Sequence, residues 1–221
     1  MIKKLFLGLI YSILMRTFLK IIVGVKYRNK EILKKTPQFI LVSNHNSHLD
    51  SMAMLSALPL SQLVKTHPIA AADYFGKSKF RSFLSRNLVN AILIKRSRDK
   101  EDKSPIEIMT DVLKMGDSII LFPEGTRGEP EKIQEFKKGI GVLLQRNPNV
   151  PFIPVFMKGM GKVLPRGEKL LVPFDSYVCF GEPIFCQSKE VDEILKEVEN
   201  AIRKVAEASS LKYIAANSVS H

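Results

Sequence analysis

The sequence has few cysteines, fewer acidic than basic residues, and no long uninterrupted apolar run. Its two cysteines, Cys179 and Cys186, are too few and too late in the chain to suggest a disulfide framework or a zinc site. A reducing environment that faces the cytoplasm is the simpler expectation. The charge-free stretch at residues 5–15 is far shorter than the ~20 apolar residues that span a bilayer.

Several motifs that identify common enzyme classes are also missing. The sequence has no Walker-type phosphate loop, no G-x-S-x-G elbow, no dinucleotide fingerprint and no internal repeat. What it does have is 221 residues with 45% hydrophobic content, which is enough for one globular domain with a full core.

Basic residues dominate the charge balance. Lysine plus arginine minus acidic residues is 34 − 22 = +12, and the pI is near 9.7. This excess favours an anionic partner, such as nucleic acid, an acidic membrane surface or a phosphorylated substrate. Because no nucleic-acid-binding motif is recognisable and the N-terminus is apolar, we expect no nucleic-acid partner.

The first 25 residues are mostly apolar, with polar or small residues at every fourth position. These residues are Lys4, Gly8, Ser12, Arg16 and Lys20. The pattern predicts a helix in the membrane interface, with its basic groups toward lipid phosphates. A cleaved signal peptide fits poorly, since no small-x-small site follows; a single signal-anchor span is the alternative. We therefore divide the chain into a membrane-associating segment, 1–25, and a domain, 26–221.

A polar cluster at residues 43–50 follows a predicted buried strand, 38–42, and precedes a predicted helix. Open α/β sheets place their active sites at that end of a strand. Within the cluster, His45 can take a proton near neutral pH, and Asp50 can fix its tautomer and stabilise the imidazolium. No Ser or Cys nucleophile stands at this turn, so the pair suggests a base that activates a substrate hydroxyl.

Two other interpretations of this cluster stay open. Asp50 or Ser47 could cap the first amides of the following helix. Alternatively, His45, His48 and Asp50 could bind a metal, although no further set of ligands is evident in a chain with four histidines.

A second polar cluster, at residues 123–128, follows another predicted buried strand, 117–122. Arg127 offers a planar fork that suits a phosphate, and the glycines let backbone amides approach an anion. The alternative is an ordinary glycine-containing turn with a surface arginine.

The remaining chain predicts an alternation of strands and helices. Strands are expected at 68–72, 91–94, 152–156, 169–172 and 177–180, and helices at 77–88, 105–115, 136–144 and 191–205. Pro151 and Pro154 favour an edge position for the strand at 152–156. The basic face of the helix at 77–88 is either a solvated surface or a platform for membrane or acyl-carrier phosphates.

The polar clusters together resemble motifs of the glycerolipid acyltransferase family, typified by 1-acylglycerol-3-phosphate acyltransferases. The family's block N-H-x-x-x-x-D is matched by Asn44, His45 and Asp50. Its block F-P-E-G-T-R is matched without change at residues 122–127.

Two further blocks follow the family order. The block G-x-x-x-I-x-R aligns with residues 90–96, with Arg96 in place and Asn90 where glycine is usual. The block V-P-x-x-P-V is matched at residues 150–155. The resemblance runs from about residue 27 to residue 185, which is most of the chain.

The resemblance implies an α/β fold: a mixed, mostly parallel sheet flanked by helices, with the N-terminal helical element added. It implies acyl transfer to the free hydroxyl of lysophosphatidic acid, giving phosphatidic acid in phospholipid biosynthesis. His45 and Asp50 would be catalytic. The substrate-binding residues would be Asn44, Arg96, Glu124, Gly125, Thr126 and Arg127.

The same resemblance implies the partners and the location. Acyl-CoA or acyl-carrier protein would be the co-substrate, and no metal or bound cofactor would be required. The enzyme would work on the cytoplasmic face of a membrane with anionic lipids, such as a bacterial inner membrane, as a monotopic or peripheral protein. The alternatives are an acyltransferase for another lysolipid, such as a lyso-ornithine lipid or a lysophospholipid, a non-catalytic lipid-binding protein, and a metal hydrolase.

Overall fold

The computed structural model describes residues 2–47, 49–72, 89–95, 103–128, 133–163 and 175–218. Within them, seven strands form one sheet: β1 (Val25–Arg28), β2 (Ile40–Ser43), β3 (Thr66–Ala71), β4 (Ile92–Ile94), β5 (Ser118–Leu121), β6 (Phe152–Lys158) and β7 (Ser176–Phe180). The strand order is β1-β7-β6-β2-β5-β3-β4. Neighbouring strands are parallel except for β6 and β7. This confirms the predicted mixed, mostly parallel sheet.

Helices cover both faces of the sheet. They are α1 (Ile2–Leu9), α2 (Ile32–Lys35), α3 (Asp50–Ala57), α4 (Leu60–Leu63), α5 (Pro105–Lys114), α6 (Gly139–Arg146), α7 (Met160–Val163) and α8 (Val191–Ser218). Helix α1 continues into two segments of π-helical geometry, Ile10–Met15 and Phe18–Val23, so one N-terminal helix extends over residues 2–23. The predicted helix at 77–88 and strand at 169–172 lie outside the described residues.

The core consists of two apolar clusters, one on each face of the sheet. Side chains of β2 alternate between them: Leu41 belongs to the cluster with α3 and the N-terminal helix, and Ile40 and Val42 belong to the cluster with α5, α6 and α8. Because both faces are covered, β2 is buried at all four positions. This explains why its sequence is continuously apolar rather than alternating.

The expectation that the strand around Pro154 lies at an edge is wrong, since β6 is central and lies between β7 and β2. The amide nitrogen and carbonyl of one strand residue face the same side, and the Pro154 carbonyl accepts from the Gly181 amide at 2.8 Å, on the β7 side. There the paired register ends at Phe180, and pairing resumes only at the isolated bridge of Phe152 with Ile184. The missing N–H of Pro154 therefore falls at an interruption of the ladder.

The expected orientation of the N-terminal polar stripe is wrong at Arg16. Its guanidinium donates to the Ser56 carbonyl from Nε at 3.0 Å and from Nη2 at 2.7 Å, and to the Leu58 carbonyl at 3.3 Å. Those carbonyls end helix α3, where a cation is favoured by the helix dipole. Gly8 also packs inward, against Leu60. At Gly8 and Arg16 the stripe therefore docks the helix on the domain, while Lys20 is exposed.

The opposite side of the N-terminal helix is apolar and exposed. Its large exposed side chains are Phe6, Leu9, Ile13, Leu14, Ile21 and Ile22. Leu7, Leu19 and Val23 are fully buried in the core of the domain. By length and composition alone, residues 6–23 would also suffice to cross a membrane.

Candidate active site

The two polar clusters meet because their strands are neighbours. Strands β2 and β5 are parallel and in register, so the loops that follow them emerge at the same edge of the sheet. A hydrogen bond joins the loops directly, since the Gly128 amide donates to the His45 carbonyl at 2.9 Å. The motifs around His45 and Glu124 therefore form one site.

His45 and Asp50 are in hydrogen-bond contact, as the sequence predicts. The distance from His45 Nδ1 to Asp50 Oδ2 is 2.9 Å. The same oxygen accepts from the amides of Asn46 at 2.7 Å and Ser47 at 2.8 Å. These amides belong to the loop before α3, so Asp50 organises the loop around His45 and does not simply cap the helix. Because Nδ1 contacts the carboxylate, Nε2 is the ring nitrogen that remains to act on a substrate.

The two side chains of the pair differ in burial. Asp50 is fully buried, and its second oxygen, Oδ1, has no hydrogen-bond partner among the described residues. The His45 side chain is 21% exposed. Its ring stacks on Phe122, with 4.0 Å between ring centroids and 20° between planes. The stacking fixes the plane of the imidazole while part of the ring still reaches solvent.

Asn44 lies behind the site. It is fully buried, its Nδ2 donates to the Met157 carbonyl at 2.9 Å, and its Oδ1 accepts from the Met157 amide at 2.8 Å. The side chain thus joins the end of β2 to β6. These hydrogen bonds hold the start of the loop that carries His45.

Glu124 is also buried, with 3% of its surface exposed. Its Oε1 accepts from the His45 amide at 3.4 Å, and its Oε2 has no hydrogen-bond partner within the described ranges. Burial raises the pKa of the Glu124 carboxyl from 4.5 to about 7, and the nearby Asp50 charge acts in the same direction. The carboxyl therefore faces the main chain of the loop that carries His45.

The rest of the second motif is more accessible. Gly125 and Thr126 are exposed, and Arg127 is half-buried. Gly125 has φ +72°, and a Cβ atom there would lie 3.0 Å from Lys137 Cε. The Lys137 side chain therefore runs over the loop and brings a second cation to it. Arg96 and His48 lie outside the described residues.

Sequence reasoning missed Lys137. Its amide donates to the Pro123 carbonyl at 2.9 Å, which ties the segment before α6 to the motif loop. The only sequence signal was its place among the basic residues at the start of the helix predicted at 136–144.

Comparisons with known proteins identify the family of this chain. The model of the Acyltransferase family matches residues 24–158. The chain is 27% identical to the chloroplastic 1-acyl-sn-glycerol-3-phosphate acyltransferase BAT2 of Brassica napus over 173 residues, which cover 78% of this chain and 46% of the relative. It is 25% identical to the 1-acyl-sn-glycerol-3-phosphate acyltransferase of Bacillus subtilis over 193 residues, which cover 81% of this chain and 90% of the relative.

A solved structure shows the same fold. It is the crystal structure of the 1-acyl-sn-glycerophosphate (LPA) acyltransferase PlsC from Thermotoga maritima, with a TM-score of 0.71 and 25% sequence identity. The match covers 94% of this chain and 78% of that one. The chain spans about half the length of the Brassica relative and most of the length of the two bacterial ones. Because the family model matches more than half of the chain, this protein belongs to the Acyltransferase family.

Proposed function

We propose that the protein transfers a fatty acyl group from acyl-CoA or acyl-carrier protein to the free hydroxyl of 1-acylglycerol-3-phosphate. The observation that carries the proposal is the contact of His45 Nδ1 with the buried Asp50 carboxylate, beside the loop that contains Arg127. The printed names of the relatives point to the same acceptor.

In the proposed reaction, His45 Nε2 removes the proton from the acceptor hydroxyl. Asp50 keeps the proton of Nδ1 in place and stabilises the imidazolium that forms. The acceptor oxygen attacks the thioester carbonyl, so a C–O bond forms and the C–S bond breaks. The imidazolium then gives its proton to the departing thiolate. No acyl-enzyme is needed, and we expect no metal or bound cofactor to take part.

The acceptor phosphate would bind to the Arg127 loop. An arginine fork suits a phosphate, and the ammonium of Lys137 lies over the same loop. Arg96 is proposed as a further cation for the phosphate, on the resemblance alone. Gly125 and Thr126 would line this pocket, and Glu124 would support it from behind.

The enzyme would dock on a membrane through its N-terminal helix. The helix buries one side in the core and exposes a row of large apolar side chains, with Ile21 71% exposed. A helix held on the domain in this way would lie in the membrane interface rather than cross the bilayer. We propose the cytoplasmic face, where acyl-CoA and acyl-carrier protein would be available.

A panel of lysolipids tests the proposal. The purified protein is incubated with oleoyl-CoA or palmitoyl-acyl-carrier protein and each lysolipid, and products are identified by mass. Phosphatidic acid should be the main product with either donor. A preference for lyso-ornithine lipid or another lysophospholipid would change the acceptor, and no transfer at all would favour a non-catalytic lipid-binding protein.

A further inference from the structure

A cavity of about 410 Å³ lies beside the edge strand β1, next to the C-terminal end of the N-terminal helix. Among the described residues, four basic side chains and one acidic side chain line it: Arg16, Lys20, Lys26, Lys30 and Asp175. We call it the basic cavity. Its volume lies in the range of small-molecule sites. It is separate from the His45 site, because strands β7 and β6 lie between β1 and β2, a separation of about 14 Å at the spacing of sheet strands.

Two of the cations in the basic cavity are held in position. Arg16 is fixed by the carbonyls at the end of α3, and Lys26 Nζ lies 2.9 Å from Asp175 Oδ1. Lys20 and Lys30 make no side-chain hydrogen bond or ion pair within the part of the chain that the structure describes. The cavity therefore has an excess of positive charge. Because the fold already holds two of its cations in place, binding an anion there costs less side-chain entropy.

The surroundings of the basic cavity indicate which anion it takes. Strand β1 runs parallel to β7 and therefore opposite to β6 and β2. The residues just before β1 and β7, Gly24 and Asp175, thus lie at the same edge of the sheet as His45. Next to the cavity, Ile21 and Ile22 are 71% and 51% exposed. A ligand for this place has an anionic head and hydrocarbon beside it.

We propose that the basic cavity binds the phosphate of an anionic membrane phospholipid, at a position distinct from the acceptor phosphate at Arg127. Lys20 and Lys30 contact the phosphate, while Arg16 and Lys26 provide fixed positive potential. The lipid's chains stay in the bilayer beside Ile21 and Ile22. This inference rests on the membrane docking in the proposed function and is independent of the acyl transfer.

The test compares full-length variants in vesicle flotation. Vesicles of phosphatidylcholine alone measure docking of the helix, and added phosphatidylglycerol measures the cavity. The double variant Lys20→Gln/Lys30→Gln should lose about 30-fold in affinity for the anionic vesicles, since each lysine near an anionic surface contributes about fivefold. Its binding to phosphatidylcholine alone should not change.

A matched control removes the same charge from the other side of the sheet. Lys196→Gln/Lys204→Gln, at exposed positions of α8, should leave the binding of anionic vesicles nearly unchanged. The variant Asp175→Asn removes the acidic side chain that the described residues contribute to the basic cavity, and it should bind those vesicles more tightly. The gain should be confined to the anionic vesicles, whereas apolar surface exposed by misfolding would also increase binding to phosphatidylcholine alone.

Three results would overturn the proposal. An equal loss in both lysine pairs would show that only the net charge of the protein matters. Release from anionic vesicles by coenzyme A, beyond the effect of a salt of equal ionic strength, would assign the basic cavity to the acyl donor. The same release by inorganic phosphate would assign it to a free anion. Failure of the acyl-transfer assay, in contrast, would leave these binding results unchanged.

Discussion

The catalytic role of the His45–Asp50 pair can be tested at the scale of single atoms. His45→Ala should abolish acyl transfer, because it removes the base. Asp50→Asn should lower kcat by about a thousandfold or more, since an amide cannot accept from the ring and from two main-chain amides as the carboxylate does. Turnover of lysophosphatidic acid measures both effects, and thermal unfolding shows whether the loop still folds.

The metal-binding interpretation predicts a different pattern from the same assay. If His45 instead acts as a metal-free base, His48→Ala should cost much less activity than His45→Ala, and a chelator should have no effect. If the two substitutions were equally damaging and a chelator abolished turnover, the role of a metal-free base would be wrong.

The buried carboxyl of Glu124 predicts a dependence of stability on pH. With its pKa raised from 4.5 to about 7, the folded protein holds this proton more tightly than the unfolded chain does. The contribution of the Glu124 proton to the free energy of unfolding is fully present below about pH 4.5. It falls as the pH rises to about 7 and does not change further above that pH. The total loss is about 3 kcal/mol.

Glu124→Gln removes this titration and keeps an acceptor for the His45 amide. The variant should therefore gain in unfolding free energy relative to the parent protein between pH 4.5 and pH 7, the two pKa values of the carboxyl. Urea unfolding at several pH values measures the difference in unfolding free energy between the variant and the parent protein. The contributions of the other carboxyls are the same in both proteins and cancel in this difference. A difference that stays flat over this range would mean that a partner stabilises the ionised carboxylate.

At the scale of the loop, Gly125 and Gly116 form a matched pair. Both have positive φ, +72° and +81°, so alanine strains the backbone at either position by about 1–2 kcal/mol. Only at Gly125 would the new Cβ also press on Lys137, while at Gly116 nothing lies within 4 Å. We expect similar losses of stability and a loss of acyl transfer in Gly125→Ala alone. Equal activity in the two variants would show that the loop shape does not matter for the reaction.

Arg127 belongs to the same loop, and its substitution can show whether this loop binds the acyl acceptor or the acyl donor. Arg127→Ala should raise the KM for lysophosphatidic acid, because it removes a charge-assisted contact to phosphate that contributes ~1.5–3 kcal/mol. Saturation curves for both substrates measure the effect. A change confined to the acyl-donor curve would contradict the assignment of this pocket.

Elements that depend on local pattern could be predicted, and those that depend on distant contacts could not. The apolar runs of β2 and β5 and their polar ends are local, so both the strands and the shared site edge follow from the sequence. The central place of Pro154 depends on the interrupted pairing of β7, which is not encoded near the proline. The inward direction of Arg16 depends on carbonyls some 40 positions away.

The roles of the site residues show the same division. The contact of His45 with Asp50 spans five positions and could be predicted from a turn. The roles of Asn44 and Glu124 in substrate binding stay predictions, and the contacts that hold these side chains, to the main chains of Met157 and His45, come from other segments. Motif spacing shows which residues gather at a site, and only the fold shows which of their side chains are buried there.

At the scale of the whole molecule, the N-terminal helix is both core and membrane contact. Deleting it would remove Leu7, Leu19 and Val23 from the core, so a loss of membrane binding by a deletion would also report unfolding. Substitutions on the exposed face are a cleaner test. The double variant Leu14→Gln/Ile21→Gln changes only exposed side chains, and Met115→Gln/Phe185→Gln is the matched control at exposed apolar positions outside the helix.

Burial of apolar surface in the bilayer should dominate docking. A large aliphatic side chain contributes about 1.5–3 kcal/mol when fully buried, against about 1 kcal/mol for a basic residue near anionic lipid. The Leu14→Gln/Ile21→Gln variant should therefore lose at least about tenfold in affinity for phosphatidylcholine vesicles, and the control should bind like the parent protein. High salt should release the parent protein only in part, because salt screens the charge term and leaves the apolar term intact. A helix that crosses the bilayer would instead resist both salt and alkaline carbonate, and complete release by salt would show that charge alone holds the protein at the membrane.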